Sequence, residues 1–180
     1  ENADVTLSTG AGAGALTVTG TTNGTAGGGD ESLTVLAGTG DVTFTGNVGN
    51  STNTTELEAL TITSAATTLF SGNLELGGAL TQAAGSVATT FTGTVNVGSA
   101  ALTGTAFNLN NSFASAGTTS FTNSGTLTKN ATGAITSTGA FSTTGNANLA
   151  SNITTTNTDL TIGGNLNWTP AYSVQQAAAQ

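Results

Sequence analysis

Apolar residues recur along this chain of 180 residues in short alternating triplets. The first are Val5-Thr6-Leu7, Leu16-Thr17-Val18, Leu33-Thr34-Val35, Val42-Thr43-Phe44 and Leu60-Thr61-Ile62. Leu74-Glu75-Leu76, Val95-Asn96-Val97, Phe107-Asn108-Leu109, Leu160-Thr161-Ile162 and Leu166-Asn167-Trp168 follow. Successive side chains of an extended backbone point to opposite faces, so each triplet predicts a short strand with one face buried. Gly, Asn and Ser clusters separate the triplets and supply turn conformations at little steric cost. No window shows the i, i+3, i+4, i+7 spacing of an amphipathic helix, and 26 glycines would penalise one. The pattern predicts an all-β fold.

Repetition selects among β architectures. Phe44-Thr45-Gly46-Asn47-Val48, Phe70-Ser71-Gly72-Asn73-Leu74 and Phe91-Thr92-Gly93-Thr94-Val95 share an order of aromatic, hydroxyl, Gly, small polar and aliphatic, with looser copies starting at Phe121 and Phe141. The stretch Asn73 to Leu80 returns, loosely, as Asp159 to Leu166. Such spacing predicts a parallel β-solenoid with coils of about 20–26 residues over residues 1–168, followed by a cap, linker or docking tail at 169–180. Phe44, Phe70, Phe91, Phe121 and Phe141 are expected to form one inward stack, and asparagines to form ladders at the corners. A β-sandwich, the alternative, needs hairpins, yet Asn-Gly occurs only at Asn23-Gly24 and Asp-Gly nowhere.

The runs Asp41 to Val48, Asn73 to Gly78 and Gly163 to Leu166 make the chain resemble the β-helical repeat regions of bacterial surface and secreted proteins, including filamentous haemagglutinin-like exoproteins and autotransporter passengers. That resemblance implies secretion and an adhesive or scaffolding role. The near absence of basic residues is a departure from it.

Charged residues make up 6% of the chain, and mean hydropathy is +0.10, a balance that favours a folded domain over charge-rich disorder. The net charge is −8, with every acid except Asp159 at or before Glu75 and Lys129 the only basic residue. One lysine cannot form a stripe for phosphates, so nucleic acid and anionic membranes are not expected partners. No run approaches the roughly 20 apolar residues of a membrane-spanning helix. The chain contains no Met and is expected to be a processed product or a segment of a longer one, outside the cell or on its surface. Lys129 is also the single point at which trypsin could cut.

The absence of His and Cys removes Ser-His-Asp and Cys-His constellations and imidazole or thiolate metal sites, so no enzyme is expected. Glu56 and Glu58 have the same-face spacing of a carboxylate pair, but solvated surface acids are the simpler reading. Calcium needs only oxygen ligands, and the Gly-rich turns carrying Asp30, Glu31 and Asp41 are weak candidates for it; no other cofactor is expected. Thr-x-Thr pairs such as Thr17/Thr19, Thr43/Thr45 and Thr61/Thr63 could array hydroxyls on a solenoid face, as ice-binding solenoids do, yet their sequence intervals are uneven. Trp168 and Tyr172 close the repetitive region, as a cap over the core or as glycan contacts. The composition points to a structural protein that associates with copies of itself, the alternative being an adhesin module that binds glycans or another surface: the edge protection soluble β-proteins draw from Lys and Pro is reduced to one of each.

Overall fold

The computed structural model describes residues 4–25, 31–50, 57–156 and 158–169. All ten alternating triplets lie on strands or, at Leu76, on an adjoining bridge, and no helix occurs among the described residues. The strands of the described residues form three parallel sheets, two of eight strands and one of five. The first sheet runs from Val5–Ser8 to Leu160–Ile162, the second from Leu16–Val18 to Leu166–Trp168, and the third from Leu74–Glu75 to Ile153–Thr155. The chain visits first, second and third sheet in turn, then steps up one rung: a parallel β-solenoid. Five turns carry a strand on all three sides. In the earliest turns the third side is reduced to the bridges Thr22 to Val48 and Val48 to Leu74.

Coil length follows from the registers. On the second sheet Val18, Phe44, Phe70, Phe91, Leu109, Lys129, Leu149 and Trp168 occupy one column. The steps along it are longest at the start, from Val18 to Phe44 and from Phe44 to Phe70, and shorter later, from Phe91 to Leu109 and from Leu149 to Trp168. Later coils therefore complete a turn with fewer residues. Seven rung spacings of about 4.8 Å give an axial length of about 34 Å.

The repeated five-residue motif is the passage from second to third sheet. Phe44, Phe70 and Phe91 stack, with ring centroids 5.3 and 5.0 Å apart and nearly parallel planes. Gly46, Gly72 and Gly93 form the corner, where a Cβ on Gly72 would lie 2.6 Å from the backbone of Gly46 and one on Gly93 2.4 Å from that of Gly72. Any side chain would push the coils apart there. Asn47 Oδ1 accepts the Asn73 N–H at 2.9 Å and Asn73 Oδ1 accepts the Thr94 N–H at 3.1 Å, so the small polar position satisfies a corner amide of the next coil. Val48, Leu74 and Val95 then turn inward.

Phe121 and Phe141 do not continue the aromatic column. Both are buried, but on the first sheet, where Phe121 faces Leu102 and Thr143 while Phe141 faces Thr119. The coil that starts at Phe91 is complete at Leu109, so a motif delayed until Phe121 has advanced in phase to the next side. Phe113 bridges the two groups, edge-on to Phe91 at 5.8 Å and 5.7 Å from Phe121, while Phe107 lies 5.1 Å from Phe121. The recurrence of Asn73–Leu80 at Asp159–Leu166 is likewise out of phase. Leu74 starts the third sheet, whereas Leu160 lies on the first.

Two pairs of polar side chains meet in the core. Thr89 Oγ1 donates to Gln82 Oε1 at 2.8 Å, and Thr143 Oγ1 donates to Asn123 Oδ1 at 2.7 Å. The hydroxyls of Thr68 and Thr119 are buried without a partner.

Two stability changes follow. Phe70→Ala removes the middle ring of the stack and should cost about 3–5 kcal/mol. Thr119→Val replaces an unsatisfied hydroxyl with a methyl group and should gain about 1–3 kcal/mol. The urea midpoints of the two variants, moving in opposite directions, check both.

Candidate functional site

Because inward and outward positions alternate, each sheet offers solvent its own outward columns. The outermost column of the first sheet runs through Thr6, Thr34, Thr61 and Thr81, breaks at Ala101, and resumes with Ser120, Ser142 and Thr161. The second sheet has two adjacent outward columns. One starts at Thr17 and Thr43 and ends at Asn148 and Asn167; its neighbour starts at Thr19 and Thr45 and ends at Ala150 and Thr169. Along both columns only Leu69 and Ala150 are neither hydroxyl nor carboxamide, and no position is charged. The uneven sequence spacing of the Thr-x-Thr pairs reflects their placement on different sheets as well as variable coil length. Thr17/Thr19 and Thr43/Thr45 sit on successive rungs of the second sheet, while Thr61/Thr63 belongs to the first and Thr136 to the third.

Side chains on this face hold one another. Asn108 Nδ2 donates to Thr90 Oγ1 at 3.2 Å, Asn130 Nδ2 to Asn110 Oδ1 at 2.7 Å, and Asn167 Nδ2 to Asn148 Oδ1 at 2.9 Å. In each pair the partner lies one coil away, so coil stacking itself orients the amides.

The single lysine lies inside. Lys129 falls in the inward column between Leu109 and Leu149 and is 1% exposed. Its ammonium donates to the carbonyls of Asn130 at 2.8 Å and Thr132 at 2.7 Å. The corner from Lys129 to Ile135 is longer than those from Leu109 to Phe113 and from Leu149 to Ile153. The extra turn brings its carbonyls to the lysine. Burial pushes the Lys129 amine below the usual lysine range, since the charged form loses hydration. Hydrophobic alternation marks position 129 as inward, and the corner carbonyls that accept the cation are not visible in composition.

The acidic candidates are used locally. Asp41 Oδ1 accepts the Thr67 N–H at 3.0 Å, the corner role that Asn47 fills elsewhere. Glu31 is buried, and its Oε1 accepts from the hydroxyl of Thr25 and, at 3.3 Å, from the Thr25 N–H. Asp30 and Glu56 lie outside the described residues, as does Tyr172. Among the described residues no three acidic side chains converge. Trp168 ends its column 72% exposed, beside a groove of about 570 Å³ lined by Ala131, Gly133, Ala150, Ser151 and Asn152. Within the described residues it does not close the core.

The buried lysine has two consequences. Native protein should resist trypsin, whereas the urea-unfolded chain should be cut once, into two fragments resolved by mass spectrometry. A lysine whose folded pKa is lowered holds its proton more weakly folded than unfolded. Stability should therefore rise with pH from that lowered value to the unfolded value of about 10.4. Urea midpoints across alkaline pH should show this rise in the parent and its loss in Lys129→Met. No protein-family model, curated protein or solved structure matches the chain, so its own geometry bears the functional reading.

Proposed function

We propose that this chain is a non-catalytic structural element of the cell exterior, a subunit or segment of a self-associating extracellular fibre, sheath or adhesin stalk. The observation that carries the reading is the burial of Lys129: the only basic side chain in the sequence is held in the core and guards no strand edge. Soluble β-proteins rely on such charges to keep edges and flanks from pairing. The second-sheet flank of this solenoid presents hydroxyls and amides, which repel nothing, and parallel ladders of main-chain groups can be extended by another β-structure. The resemblance to β-helical regions of bacterial surface proteins supports the same assignment, as does a composition without His or Cys.

A second reading, an adhesin module that binds glycans, is favoured by the exposed indole of Trp168 beside its groove. Electron microscopy of concentrated protein distinguishes the two. Filaments with an axial repeat near about 4.8 Å are expected. Dispersed particles that persist at high concentration would overturn self-association and leave the adhesin reading, for which Trp168→Ala should abolish glycan binding without loss of fold.

A further inference from the structure

We infer that the outer face of the second sheet is a docking surface for an extended neutral polysaccharide lying along the solenoid axis. The inference shares a ligand class with the adhesin reading but not its site: it concerns the flank, not the groove at Trp168.

Three observations lead there. The face is uncharged, although the chain carries nine acids; Asp41, at its border, is occupied by the Thr67 amide. Neither an acidic nor a basic polymer would find an opposite charge on it, so the electrostatic match is to a neutral partner. Hydroxyls and carboxamides both donate and accept hydrogen bonds, as do the hydroxyls of a sugar polymer, whose groups can rotate to match the face. The array is also rigid and repeating. Two outward columns stand about 7 Å apart along the strand and repeat about every 4.8 Å along the axis, and the pairs Asn108–Thr90, Asn130–Asn110 and Asn167–Asn148 are already oriented by coil stacking. A linear polymer meets the same chemistry rung after rung, so weak contacts act together. Ice would demand one unbroken hydroxyl lattice, and here Leu69 interrupts the threonines while asparagines replace most of them from Asn108 onward.

Co-sedimentation of the full chain with microcrystalline cellulose and with chitin tests the inference, using alginate gel as the acidic comparison and growing ice as a further surface. At least one neutral polysaccharide should deplete the protein from solution. Thr90→Lys combined with Thr128→Lys should lower the bound fraction about tenfold, while Thr34→Lys with Thr61→Lys on the first sheet should leave it unchanged. Asn148→Ala with Asn167→Ala truncates the face instead of charging it and should weaken binding too, which covers the case in which the lysine pair fails to fold. Binding that survives every second-sheet change but is lost in Trp168→Ala would overturn the flank and keep the adhesin reading. Absence of binding to both neutral polymers would overturn the inference. Retention on alginate or ice alone would also overturn the inference.

Discussion

Everything in this molecule depends on the parallel main-chain ladder between successive coils. Each interior strand pairs on both sides with strands one turn away, so nearly every other feature must repeat at the rung spacing or be accommodated at a corner. An inward residue meets the inward residues of the coils above and below, and an outward residue meets outward ones. Stability is then close to a sum of coil and nearest-neighbour terms, as in other stacked-repeat proteins. A defect is felt locally: an unsatisfied Thr68 or Thr119 hydroxyl remains where the neighbouring rungs offer it no partner.

The same ladder explains why so little charge suffices. Corner amides that would go unpaired are accepted by Asn or Asp side chains one coil earlier, as with Asn47, Asn73 and Asp41, so side-chain oxygens replace carbonyls at bends. Asp41 and Asn47 are equivalent in this role although one is an acid and the other an amide. Lys129 solves the converse problem. Its ammonium collects carbonyls of an unusually long corner, at the cost of dehydrating a cation amid leucine rungs. These devices use polar groups inward or at bends and leave the second-sheet flank uncharged.

Much of the fold was legible because alternation is a local property. The triplets announced the strands, the Phe-hydroxyl-Gly motif marked a corner, and its recurrence from Phe44 to Phe70 to Phe91 gave the coil length where the repeat kept phase with the rungs. Legibility failed where the corners change length. Phe121 and Phe141 begin looser copies of the Phe44 motif, yet the longer stretch of chain after Phe91 moves them to another sheet. The candidate surface was hidden for the same reason: Thr43 and Thr90 belong to one face, which no constant sequence interval reveals.

By itself, the sequence determined the secondary structure, the parallel solenoid class and the exclusion of imidazole and thiolate chemistry, since these follow from side-chain alternation, turn residues and composition. Only the tertiary structure decided which strands share a sheet, which hydroxyls form a common face, and that the one lysine points inward. Those outcomes depend on the total number of residues accommodated around each turn, a quantity summed over three corners and invisible in any one of them.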